Sequence, residues 1–228
     1  MSTTVTYLGH SAFALEHDGV RVLIDPFLTG NPVAEAAGIS ADTQNADAIV
    51  LTHGHDDHIG DTVGIAGRTG ATVFCSFEVG QYLQELGVKE IEDGNPGGRI
   101  EARWGWVAFT QAFHSSSSNG RYLGQPMGAV VRLGGKTVYH CGDTGLFGDM
   151  KLLGEIYRPD VALVPIGDRY TMGPELATRA AEMIAAPLVV PMHYKTFGLL
   201  RQDAAGFAPQ GVTVRELAAG ESLTLAQG

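Results

Sequence analysis

The chain has 228 residues, 44% hydrophobic and 18% charged, which excludes a disordered polymer and is long enough to bury roughly 70% of its unfolded surface. Its 15 Lys and Arg against 25 Asp and Glu leave a net charge of −10, which argues against a broad grip on nucleic-acid phosphates. Two cysteines, Cys75 and Cys141, supply neither a disulfide framework nor a four-thiolate zinc site, and suit a reducing cytoplasm.

The N-terminal stretch MSTTVTYLGHSAF has no basic segment leading into an apolar one, so no signal peptide is expected. Strands are predicted at Val5 to Leu8, Ala12 to Leu15 and Val20 to Ile24, the last two joined by a hairpin turn at Asp18-Gly19. Ala46 to Leu51 reads as a buried strand. Thr62 to Arg68 has helical spacing up to Gly70, Ala71 to Cys75 is a strand, and Phe77 to Leu86 is a helix stopped by Gly87. The segment Asp93 to Gly98 is read as a turn.

Strands follow at Val107 to Phe113, Gly128 to Leu133 and Thr137 to Cys141, with Gly134-Gly135 as a hairpin turn. Then a helix over Leu146 to Ile156, a strand Val161 to Pro165, a helix Pro174 to Ala185 and a strand Leu188 to Met192 alternate. Pro174 suits a first helical turn. Hairpins and strand–helix units thus occur once in each half. This predicts two sheets with helices outside, a four-layer αββα arrangement in one domain over residues 1–228. The longest apolar runs fall far short of the ~20 residues that span a bilayer, so no membrane partner is expected.

The segment Thr52-His53-Gly54-His55-Asp56-Asp57-His58 directly follows a predicted buried strand. Three imidazoles and two carboxylates crowded onto one strand end exceed what a polar loop requires. Imidazole and carboxylate together suit Zn, Mn, Fe or Ni, and the spacing admits two adjacent cations.

With these residues the chain resembles the metallo-β-lactamase fold superfamily, whose His-x-His-x-Asp-His motif is matched by His53, His55, Asp57 and His58. The further ligands this resemblance requires are matched, in order and at strand ends, by His114, Asp143 and His193. The blocks Gly9-His10-Ser11, Leu23-Ile24-Asp25-Pro26, TQAFHSSS from Thr110, GDTGLFGDM from Gly142, IGDRYTMGP from Ile166 and PMHYKTF from Pro191 narrow it. They resemble the bacterial and archaeal "metal-dependent hydrolase" family related to L-ascorbate-6-phosphate lactonases. Asp56 stands where that family often has Gly, and Lys195 where a small or amide residue is commoner.

The resemblance implies two divalent ions per chain, Zn or Mn first, Ni or Fe as alternatives. His53, His55 and His114 would hold one; Asp57, His58 and His193 the other; Asp143 would bridge them. A metal-bound hydroxide would then attack an ester-type bond, with a small lactone or phosphate-containing molecule as substrate. Asp57 and Asp143 are the only carboxylates of the set able to take a proton, and are poor bases while bound. Phosphodiester hydrolysis is the nearest alternative, and a metal-stabilised binding protein the non-enzymatic one.

Several residues flank this set. Asp25 is read as a turn residue or as a carboxylate orienting a metal-bound His, and His10 as a proton donor or phosphate contact. Ser115, Arg169 and Lys195 are candidate substrate contacts, while Cys141 and His140 are read as structural. A homo-oligomer is compatible with the sequence. An exported β-lactamase lacks support for want of a leader. A tRNA-processing nuclease lacks a basic insertion, and a di-iron reductase would carry an acidic residue at the position of His55.

Overall fold

The computed structural model describes residues 2–226. β1 (Thr3–Gly9), β2 (Ala12–His17) and β3 (Val20–Ile24) form an antiparallel meander. Asp18 and Gly19, at φ +49° and +80°, make the two-residue loop that matches the twist of the strands around it. β4 (Ala48–Val50), β5 (Thr72–Ser76) and β6 (Ile91–Gly94) extend the sheet in parallel. The crossovers carry α1 (Pro32–Ala36), α2 (Asp56–Ile59), α3 (Thr62–Thr69) and α4 (Phe77–Glu85).

The expected turn at Asp93 to Gly98 is shorter than predicted. Asp93 and Gly94 finish β6, paired with Cys75 and Ser76, and only the residues after them turn. An edge strand need not bury its side chains, so its polar residues imitate a loop.

That turn carries the chain into a second sheet. β7 (Arg99–Ala102), β8 (Gly105–Gln111), β11 (Met127–Leu133) and β12 (Lys136–His140) pair antiparallel, and a small hairpin, β9 (Ser117–Ser118) with β10 (Arg121–Tyr122), interrupts them. β13 (Val161–Pro165), β14 (Leu188–Met192) and β15 (Thr213–Val214) continue in parallel, with α5 (Met150–Tyr157) leading into β13 and α6 (Pro174–Ile184) into β14. β16 (Ser222–Leu225) returns to pair with β1, so each sheet has seven strands.

The helix predicted from Leu146 begins only at Met150. Gly145 instead donates its N–H to the Phe113 carbonyl, which holds the preceding segment as a loop against the end of β8.

Strand parity builds the layers. Phe13, Leu15, Val22 and Ile24 face Phe109, Val131, Leu163 and Met192 across the space between the sheets. Ala14, Leu23 and Val73 face outward under α1, α3 and α4, while Tyr139, Cys141, Ala162 and Val164 lie under α5 and α6. Both faces of the central strands are covered, hence their unbroken apolar runs. The result is an α/β fold of two facing sheets with helices outside. Among the described residues no helix is long and apolar enough to cross a membrane.

Candidate metal centre

His53 and His55 follow the end of β4, and the second half of the motif is helical. His55 is the residue before α2, and its carbonyl accepts the N–H groups of His58 and Ile59. This single turn places Asp57 and His58 on the same side as the strand end. Gly54 is required by close approach: a Cβ there would lie 2.6 Å from a Leu123 methyl carbon. Its N–H donates to Ser116 Oγ at 3.0 Å, and Ser118 donates to Asp56 Oδ1 at 2.6 Å. The β9–β10 hairpin is thereby fastened to the motif. Asp56 has this separate task and belongs to none of the donor groups below.

Asp25, at the end of β3 and fully buried, accepts three hydrogen bonds. These come from the Thr52 N–H at 2.9 Å, the Thr52 hydroxyl at 2.7 Å and His58 Nδ1 at 2.7 Å. The Thr52 oxygen in turn lies 3.0 Å from His53 Nδ1. One carboxylate therefore sets two imidazoles, directly and through a hydroxyl, with each Nε2 turned inward. This is the outer support that metal-binding histidines commonly have. The sequence pointed to Asp25 but not to Thr52, whose only signal is its place immediately before the motif.

The second sheet supplies His114 after β8, Asp143 after β12 and His193 after β14. Gly142 turns the chain at φ +65°, where a Cβ would stand 2.3 Å from the Met127 carbonyl oxygen. Its N–H donates to His140 Nδ1 at 3.1 Å, while His140 Nε2 donates to the Ser11 carbonyl at 2.9 Å. His140 is thus a buried clamp behind Asp143. Cys141, on the other parity, packs in the outer apolar layer, where burial pushes its thiol up.

Asp143 stands between the two halves. Its Oδ1 lies 3.3 Å from His58 Nε2; its Oδ2 lies 3.4 Å from His114 Nε2 and 2.9 Å from His193 Nε2. His53 Nε2 and His55 Nδ1 are 2.9 Å apart. Donor atoms gather into three groups, each within 4.8 Å: His53, His55 and His114; His53, His58 and Asp143; and His10, Asp57, His58 and His193. His58 Nε2 and Asp143 Oδ1 are buried without a hydrogen-bond partner. Four side chains here carry the backbone at positive φ: His10 (+58°), Asp25 (+46°), His193 (+56°) and Lys195 (+68°). Such strain collects at functional sites.

Burial pushes His53, His55 and His114 below the usual imidazole range, keeping them neutral with lone pairs available. Burial likewise takes His10 down to about 4. Burial alone would lower His58 and raise Asp143, yet the neighbouring charges prevail. Asp143 and Asp25 hold His58 well above its ordinary value, and His193 and His58 hold Asp143 well below its own. A proton on His58 therefore occupies the place a cation would take. Buried unpartnered donors, nitrogen and oxygen mixed, fit divalent transition metals.

The remaining candidates divide. Ser115 is beside the cluster, with Oγ 3.3 Å from His55 Nε2. Lys195 lies over the Tyr194 ring, 4.6 Å from its centroid, and 3.9 Å from Glu216, so it is engaged away from the donors. Arg169 is exposed, its guanidinium over Tyr170.

A family model described as the β-lactamase superfamily domain matches residues 4–193. A UPF0173 metal-dependent hydrolase of Geobacillus thermodenitrificans is 50% identical over 229 residues, covering 97% of this chain and 99% of that protein. One from Symbiobacterium thermophilum is 50% identical over 227 residues, covering 98% and 97%. Among solved structures, Igni18, described as a novel metallo hydrolase from Ignicoccus hospitalis, superposes with a TM-score of 0.89 at 39% identity, covering 100% of both chains.

Proposed function

We propose, from the premise that this chain belongs to the β-lactamase superfamily and within it to the UPF0173 metal-dependent hydrolases, that it hydrolyses an ester-type bond at a centre for two divalent cations. The observation that carries this reading is the pair His58 Nε2 and Asp143 Oδ1, 3.3 Å apart, buried, and without hydrogen-bond partners. In the metal-free protein the two meet only as an ion pair with no hydrogen bond to complete it, which leaves the desolvation of both charges poorly compensated. That cost is accepted where a ligand satisfies them.

His53, His55 and His114 would hold one cation, and Asp57, His58 and His193 the other, with Asp143 reaching both. Cations there would bring a water toward a pKa near ~7 and polarise the carbonyl or phosphoryl oxygen under attack. Asp25 and Thr52 keep His58 and His53 in register, and His140 steadies the turn that presents Asp143. The water oxygen joins the acyl carbon or phosphorus, the ester bond breaks, and the leaving oxygen takes up a proton. A small lactone or phosphate-containing molecule is the substrate class we favour, on the likeness of the sequence blocks to sugar-phosphate lactonases.

The test is the protein reconstituted with Zn, Mn or Ni, assayed on lactones, thioesters and bis-p-nitrophenyl phosphate. Turnover of a lactone above the diester supports the reading. Preference for the diester would move it to phosphodiester hydrolysis. No turnover of any of them with metal bound would leave a metal-stabilised binding protein.

A further inference from the structure

We propose that the cavity between the end of β8 and the β9–β10 hairpin binds an uncharged apolar group of the substrate, an alkyl chain or aryl ring carried by the ester or lactone whose bond is cut at the cations. This deepens the hydrolytic reading above and rests on it.

Among the described residues the two most exposed large hydrophobics are Tyr122, at 73%, and Phe113, at 62%. Both line one cavity of about 570 Å³, with Gln111, His114, Gln125 and Pro126. That is the size of a small-molecule site. His114 belongs to the first cation position, its Nε2 3.4 Å from Asp143 Oδ2 and its side chain 12% exposed. The cavity therefore opens directly beside the centre, where the parts of a substrate next to the scissile bond must lie.

Neither ring is exposed for want of anchoring. Phe113 donates its N–H to the Thr144 hydroxyl oxygen at 2.9 Å and accepts the Gly145 N–H at 3.0 Å. Its ring lies 5.4 Å, centroid to centroid, from that of the buried Phe147. Tyr122 pairs with Ser117 in the hairpin, and Leu123 after it is buried and donates its N–H to the Ser116 carbonyl at 2.9 Å. The Ser116 hydroxyl donates to the Leu123 carbonyl at 3.1 Å and accepts the Gly54 N–H at 3.0 Å. Each wall is thus tied to a segment carrying metal ligands: Phe113 to Thr144 beside Asp143, and Tyr122 through Ser116 to Gly54 between His53 and His55. Holding two rings in water forgoes the gain of burying them, and a ligand that covers them recovers it.

Charge decides the kind of group. The chain has 25 Asp and Glu and 15 Lys and Arg, yet none of them lines this cavity. The Gln111 amide is already engaged, donating to Asp149 Oδ2 at 3.0 Å. A phosphate or carboxylate group placed here would lose its water without gaining a basic side chain. An alkyl or aryl group pays no such desolvation and covers both rings. Of the two substrate classes favoured above, the neutral one, a lactone with an apolar substituent, is the one this cavity accommodates.

The test uses the full-length protein loaded with Zn. Turnover is compared across γ-lactones whose side chain grows from methyl to butyl. Saturation-transfer NMR records the contacts of N-phenylacetamide, an uncharged aryl amide with no ester bond. In wild type kcat/KM should rise by up to about fourfold for each added methylene, and the phenyl protons should receive saturation. Tyr122→Ala and Phe113→Ala should each flatten the rise, chiefly through KM, and together should abolish the phenyl contact. Ile156→Ala, 60% exposed on α5 and outside the cavity, should change neither. Metal per chain shows that His114 keeps its place; where Phe113→Ala loses metal, Tyr122→Ala alone decides. A rise or a phenyl contact that persists undiminished in the variants overturns the proposal and leaves the hydrolytic reading intact. Absence of the contact in wild type also overturns it, and an oligomer that the double variant dissociates would then assign the rings to a second copy. No lactone turnover, with a phenyl contact that the substitutions abolish, overturns the lactone reading and leaves the cavity assigned to an apolar group.

Discussion

Asp25 and His58 are joined by a 2.7 Å hydrogen bond between two side chains that solvent does not reach. They are 33 residues apart in the chain, and the bond fixes which face His58 turns to the cluster. Replacing Asp25 by Asn keeps the shape but removes the charge and one acceptor. We expect Asp25→Asn to lower metal affinity about 10–100-fold while the fold persists. Chelator competition with circular dichroism as the control measures this; unchanged affinity would contradict the role.

Metal binding should release a proton. In the metal-free protein the Asp143 and Asp25 carboxylates hold His58 well above its ordinary value, so it is protonated near neutrality. A cation must displace that proton, and affinity should therefore rise with pH, by up to about tenfold per unit while His58 stays protonated. Calorimetry in buffers of different ionisation enthalpy counts the proton. A pH-independent affinity would contradict the state inferred for His58.

Asp143 and Cys141 are near neighbours with opposite roles. Asp143→Ala removes the carboxylate that approaches His58, His114 and His193, and should lose metal and activity together. Cys141→Ala touches only the outer apolar layer, and should retain both at a cost of about 1 kcal/mol in stability. Metal content per chain and urea midpoints distinguish them. Loss of metal in the cysteine variant would bring a thiolate into the site.

His140 links stability to pH. Burial pushes it below its ordinary value, so in the window beneath about 6.5 the unfolded chain carries a proton the folded chain refuses. Its contribution is complete above that pH and is lost as pH falls, by up to ~1.4 kcal/mol per unit. In chelator-treated protein, His140→Gln should show a shallower decline than wild type between about pH 6.5 and 5.5. Parallel curves would show that His140 does not refuse the proton.

Local pattern determined much of this protein by itself. The alternation of Phe13, Leu15, Val22 and Ile24 with outward-facing neighbours, and the apolar run before Thr52, are legible because side-chain direction in a strand depends only on parity. The motif His53 to His58 is legible because its donors are crowded within one short segment. The four-residue helix α2 inside it is too short for periodicity to mark, the edge strands β6 and β15 bury too little to be patterned, and β16 turns Leu223 and Leu225 inward over only four residues. Only the tertiary structure decided that Asp143 stands between His58 of one sheet and His193 of the other, that Asp25 holds His58, and that His10 turns Nε2 toward Asp57. These contacts join residues 33, 47, 50 and 85 positions apart. Such distances are closed by the pairing of strands and the facing of two sheets, which no local spacing of residues encodes.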